Sequence, residues 1–251
     1  MPARSPQTIA TRQGKIVVWT PGTGRAGLVI YIHGHGQTAT SAWMNHRLAS
    51  QFARSRLDST FVAVDGQFHT GDTVKWTSLD AVLAIVETVA GEGVYRKPVT
   101  VIAHSAGYET VARWLEDRRI GHIILLDALY GRVYEYLAWL HYSLGGHAIT
   151  TVYTKQTAAN VGRLLVATPH QEAALRDGVP SSVAGFTRQE RGAKLLAIRS
   201  QYTHNEIVAS GAVIPIVLRR RSTTFGIDWK PVIAAAVVGS VLGVGLGLAV
   251  L

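Results

Sequence analysis

No cysteine occurs anywhere in the 251 residues. That excludes disulfides, thiolate-bound metals and a cysteine nucleophile, and leaves the redox compartment open. Charged residues are few, 16% against 47% hydrophobic, which excludes a disordered chain. The 25 glycines lack the every-third-residue period of collagen. Gly22-Thr23-Gly24 lacks the Lys-Ser/Thr of a phosphate-cradling loop. Residues 1–11 contain no apolar stretch, so no cleavable leader is expected. Acidic side chains are the scarcer sign, 16 against 25 Lys+Arg, for a net charge of +9. Such an excess raises the question of nucleic acid. The bases, among them Arg47, Arg54, Arg113 and Arg118, are nevertheless scattered rather than interleaved with aromatics. A solvated surface is the expectation, with no nucleic-acid partner.

One segment lacks charge altogether. Residues 232–251 carry a single hydroxyl, Ser240, and as a helix they would rise about 30 Å, enough to cross a bilayer. Arg219, Arg220, Arg221 and Lys230 stand ahead of them, a basic flank that favours the cytoplasmic side and anionic headgroups. The expected organisation is a body over 1–218, a basic juxtamembrane linker over 219–231 and a transmembrane helix over 232–251. This makes a single-pass C-terminal anchor with the body on the cytoplasmic side. Gly239, Gly243 and Gly247 fall on one helix face, which would permit helix–helix self-association. The competing reading is a buried C-terminal helix of a soluble domain.

Within the body, short apolar or β-branched runs at 15–20, 28–32, 60–64, 99–103, 122–126, 147–154 and 194–200 read as strands. Helical patterns lie between them, at 42–53, 79–89 with Ser78 as cap, from 105 to about 117, at 129–144 and at 158–166; residues 168–192 read as loop-rich. This alternation predicts an α/β fold, a mostly parallel sheet with helices on both faces. In such folds chemistry gathers at the carboxyl ends of the strands. Those ends carry His33, Asp65, Ser105, Asp127 and His204.

Ala103-His104-Ser105-Ala106-Gly107 follows an apolar strand and opens a helix. A turn that sharp forces the serine into a strained backbone and needs small neighbours two residues away on either side. The segment resembles the nucleophile elbow of the α/β-hydrolase superfamily, with Ala103 where the usual pattern has glycine; some bacterial lipases of that superfamily share the alanine. His33-Gly34-His35-Gly36 is similar to the oxyanion loop of the same superfamily. Read from the residues alone, Ser105 could merely cap a helix. His33 and His35 could be a metal pair, though one without a third ligand nearby.

The resemblance implies a serine hydrolase. Ser105 would be the nucleophile, and the backbone amides of His35 and Ala106 the oxyanion donors. His204 would be the base, since the superfamily places its histidine last, with His147 and His170 as competitors. Asp127 would be the acid, following the strand after the elbow. The more usual place, one strand later, holds only Lys155-Gln156-Thr157. Asp177 and Asp65 compete, and Asp127 could instead cap the helix over 129–144. Tyr130, Tyr134, Tyr136, Trp139 and Tyr142 would form either a lid or a cover helix on the sheet. No metal or organic cofactor is implied. The expected substrate is a carboxylic ester, a lipid or acyl ester being favoured by the anchor. An acyltransferase or thioesterase with the same triad, or a non-catalytic membrane-anchored scaffold, remain as alternatives.

Overall fold

Aliphatic runs without polar alternation make strands that are buried on both faces. In the computed structural model, which describes residues 5–24, 26–91, 98–142 and 146–221, nine strands form one sheet, the inner ones of this kind. They are β1 (Gln7–Ala10), β2 (Lys15–Trp19), β3 (Leu28–Ile32), β4 (Thr60–Val64), β5 (Val99–His104), β6 (Ile120–Leu126), β7 (Ala148–Tyr153), β8 (Ala173–Asp177) and β9 (Leu195–Arg199). Their spatial order is β1-β2-β4-β3-β5-β6-β7-β9-β8. β2 runs antiparallel to both β1 and β4, and the remaining pairings are parallel. The chain moves from β3 to β4 on one side, then returns to place β5 on the other. This reversal opens a crevice at the carboxyl ends of β3 and β5, where loops diverge.

The helices are α1 (Ala39–Asn45), α2 (Leu48–Ser55), α3 (Leu79–Ala90), α4 (Tyr108–Ala112), α5 (Val133–Tyr142), α6 (Ala158–Ala167), α7 (Arg188–Gly192), α8 (Glu206–Ala209) and α9 (Val213–Arg219). Two apolar cores separate them into layers. One packs Val82, Val86, Trp114, Tyr136 and Leu164 on one face of the sheet. The other packs Phe52, Ala42, Ile207, Val213 and Val217 on the opposite face. Ser78 caps α3 as expected, its hydroxyl accepting from the Asp80 amide.

Three features depart from the sequence expectations. The single helix expected over 42–53 is two, because Arg47 takes a left-handed φ of 50° between α1 and α2. The loop-rich 168–192 contains β8 and α7; β8 is an edge strand with Leu175 facing solvent, so it carries no burial pattern. The folded body also continues past residue 218. Arg220 is fully buried. Its guanidinium donates to Thr150 Oγ1 at 2.6 Å, to the Glu190 carbonyl at 2.9 Å and to the Ala193 carbonyl. Arg221 is buried as well. These two bases therefore belong to the domain, not to a solvated linker. Among the described residues no helix is long and apolar enough to cross a membrane; the expected span 232–251, with Gly239, Gly243 and Gly247, lies outside them.

Candidate active site

Ser105 directly follows β5 with a left-handed φ of 52°, a conformation that costs a non-glycine residue on the order of 1 kcal/mol. The surrounding residues leave it little choice. A Cβ on Gly107 would meet the Ile32 carbonyl oxygen at 2.7 Å, so this position accepts only glycine. Ala103 is fully buried and its methyl lies in the core, so the departure from glycine is absorbed there. On the other side, a Cβ on Gly34 would stand 2.6 Å from Ser105 Cβ. The glycine of the β3 loop thus lets backbone lie directly against the serine.

His33 organises that loop. The Gly66 amide donates to His33 Nε2 at 2.9 Å, so Nε2 is bare and Nδ1 carries the proton. Nδ1 then donates to the Gly34 carbonyl at 2.7 Å. A trans peptide points its C=O and N–H in opposite directions, so the His35 N–H is turned away from the buried His33 ring. That amide donates to no protein acceptor among the described residues. The His35 side chain is exposed.

His204, in the loop between β9 and α8, donates through Nδ1 to Asp127 Oδ2 at 2.7 Å. Asp127 follows β6 with φ 47° and is fully buried. It also accepts from the Thr154 amide at 2.9 Å, Thr154 Oγ1 at 2.7 Å and Thr157 Oγ1 at 2.6 Å. Burial alone would raise the carboxyl's pKa, but these donors, with His204 foremost, hold it down at about 2. A buried carboxylate satisfied by four donors stays ionised. The loop after β7, which lacks a carboxylate, supplies three of those donors instead. Sequence reasoning noted the empty position and missed its role. The signal was the pair of hydroxyls, Thr154 and Thr157, flanking it.

The competitors are placed elsewhere. His147 stacks on Trp139 with centroids 4.1 Å apart and precedes β7. His170 precedes β8, so both lie at amino-terminal ends of strands. Asp177 closes the edge strand β8. Asp65 ends β4, but its oxygens accept from the Ala39 amide at 2.7 Å, the Lys15 amide at 3.0 Å and Lys75 Nζ at 3.2 Å. These donors outweigh burial and hold its pKa well below the carboxylate range. It ties four segments together.

The partners of His204 are Asp127, Tyr130 Oη at 3.4 Å and, through its carbonyl, His104. The Ser105 hydroxyl is not among them; such bonds are often long until substrate tightens them. Of the aromatic segment, Tyr136, Trp139 and Leu140 are buried against the sheet, so α5 is a cover helix. Among the described side chains of that segment, Tyr130 reaches the site. It donates to Gln156 Oε1 at 2.6 Å, and burial pushes its phenol up to about 12. Among the described residues no group of three His, Asp or Glu could hold a metal.

No protein-family model matches the chain, and no curated protein matches it in sequence. Solved structures share its architecture. A protein of Capnocytophaga ochracea described as uncharacterised superposes with a TM-score of 0.52 at 11% identity, over 85% of this chain, which spans 63% of that protein's length. An alpha-beta serine hydrolase homologue from Coxiella burnetii gives 0.51 at 15% identity, covering 87% of this chain and 97% of its own. A hormone-sensitive lipase from a metagenome library gives 0.51 at 11%, covering 87% and 86% respectively. The fold is therefore the α/β-hydrolase fold.

Proposed function

We propose that this protein is a serine hydrolase that cleaves a carboxylic ester. Ser105 Oγ attacks the carbonyl, His204 Nε2 takes its proton, and Asp127 holds the imidazole and stabilises its charged form. The amides of His35 and Ala106 receive the oxyanion, each worth on the order of 3 kcal/mol in the transition state. The tetrahedral intermediate collapses as His204 returns the proton to the departing alkoxide, leaving an acyl-serine. Water, deprotonated by the same histidine, releases the acid. The observation that carries this reading is the buried, fourfold-satisfied Asp127 carboxylate bonded to His204 Nδ1 at 2.7 Å.

Water access favours hydrolysis over acyl transfer. His35 and Tyr130 are exposed, and the His204 side chain retains 21% of its accessible surface. The exit of the chain bears on the substrate. Arg220 is fastened beside Ile149, Glu190 and Ala193, at the amino-terminal ends of β7 and β9. The site lies at the opposite pole, about 20 Å away at ~3.3 Å per strand residue. If 232–251 span a bilayer, as we propose from their composition, the chain leaves the domain toward it at the pole opposite the site. A soluble, short acyl ester fits that geometry better than a bilayer lipid.

Two results test these statements. Nitrophenyl esters of graded chain length should be cleaved, acetate and butyrate faster than palmitate; no turnover of any member would sink the reading. The full chain should sediment with membranes and the chain lacking 232–251 should not, with equal kcat/KM on acetate. Equal partitioning of the two would refute the anchor.

The Gly34 contact gives a sharper prediction. A methyl at this position would stand 2.6 Å from Ser105 Cβ and 3.1 Å from its Oγ. Displacing a nucleophile by about 1 Å costs roughly 100-fold. Gly34→Ala should therefore lose about two orders of magnitude in kcat while remaining folded by circular dichroism. Wild-type kcat in this variant would contradict the close approach.

A further inference from the structure

Behind His204 stands a column of buried rings that the chemistry above does not use. Tyr31 Oη lies 2.9 Å from His46 Nδ1. His46 meets the His104 ring edge-on, with centroids 5.8 Å apart at 85°. His104 in turn faces His204 with centroids 4.7 Å apart at 33°. Tyr31, His46 and His104 are all buried. Gln51 ties the column to the following helix, donating to the His46 carbonyl at 2.6 Å and to the Val208 carbonyl of α8 at 2.7 Å.

The tautomer of His104 follows from its contacts. Nε2 stands 3.2 Å from the His204 carbonyl oxygen; a carbonyl only accepts, so the proton is on Nε2. Nδ1 is buried without a partner. A second proton there would be an N–H without an acceptor, beside His204 and His46, with Asp127 the one carboxylate acting on the ring. Burial, then His204 and His46, hold its pKa down at about 3, and burial and His33 hold His46 at about 4. The column is uncharged at neutral pH. An uncharged ring can lie against His204 when that residue becomes a cation during turnover, whereas a second imidazolium would oppose it.

His204 sits in a loop, and its ring makes one short hydrogen bond, to Asp127. A single bond leaves an imidazole free to swing about it. We propose that His104 is a positioning residue for His204, fixing its backbone through Nε2–H and its ring through the tilted ring-to-ring contact. Because His104 directly precedes Ser105, the end of β5 would then set nucleophile and base in one register. This inference rests on His204 being the base of the proposed reaction.

The test uses the full chain. His104→Phe keeps a ring and removes the donor, while His104→Gln restores a donor at similar reach. In His104→Phe, kcat on a soluble ester should fall about tenfold with KM unchanged, a fraction of what a 1 Å misplacement costs. His104→Gln should recover most of kcat. Wild-type kcat in His104→Phe, per site titrated with fluorophosphonate, would overturn the proposal, even if its melting temperature fell. The shared proton between His204 Nδ1 and Asp127, read directly by NMR, needs no turnover. It should exchange faster with solvent in His104→Phe, and an unchanged exchange rate overturns the proposal independently. A wild-type chain that neither hydrolyses esters nor labels would instead sink the hydrolase reading.

Discussion

Ser105→Ala is expected to lower kcat for ester hydrolysis on the order of 10⁶-fold, the loss seen when a triad nucleophile is removed. The other groups cannot substitute. His204 and the oxyanion amides act on a covalent step that no longer exists, and water would have to attack unaided. The same position separates function from stability. Ser105 holds φ at 52°, which costs a side chain about 1 kcal/mol or more and costs glycine nothing. Ser105→Gly should therefore be as inactive as the alanine variant and yet unfold at higher denaturant concentration. Equilibrium unfolding of the three proteins beside their turnover rates checks both statements. Residual activity within tenfold of wild type in either variant would remove Ser105 from the chemistry.

Asp127→Asn carries the second-largest effect, about 10⁴-fold in kcat. The asparagine keeps the shape of the site but brings an NH₂ where four donors already converge. One donor must lose its partner, and if that is His204, its ring carries the proton on the wrong nitrogen. The pH dependence of stability gives a separate reading. Hydrogen bonds, against the opposing effect of burial, lower the folded-state pKa of Asp127 to about 2, below the ~3.9 of an unfolded aspartate. The group thus stabilises the fold above about pH 4, and that contribution is lost as pH falls through 2. The stability gap between wild type and Asp127→Asn should narrow over this window. Asp65 is depressed too, so the variant keeps some acid sensitivity. A gap independent of pH would mean that the carboxylate is not held as described.

Much of this was legible in the sequence, for physical reasons that differ by element. Residues 28–32 and 60–64 are recognisable because a strand buried on both faces must be apolar throughout. Ser105 and Asp127 are recognisable because they directly follow such strands, and His204 because it stands in the loop after the last one. β1 and β8 were not, since edge strands four and five residues long bury little and carry no pattern. His104 received no role of its own within the elbow, because nothing local says that its ring lies against a residue a hundred positions away. Arg220 was misread for a similar reason. Charge next to an apolar segment suggests solvent or headgroups, whereas here carbonyls and a threonine hydroxyl at the ends of β7 and β9 enclose it. Position along the chain reveals what an element is made of. It does not reveal which loops from distant strands meet.

The most direct test is covalent labelling. Full-length protein treated with a fluorophosphonate should gain one adduct per chain, mapped by peptide mass to Ser105, and Ser105→Ala and His204→Ala should gain none at the same exposure. A folded wild-type chain that stays unlabelled, or carries its adduct on another residue, would contradict the account.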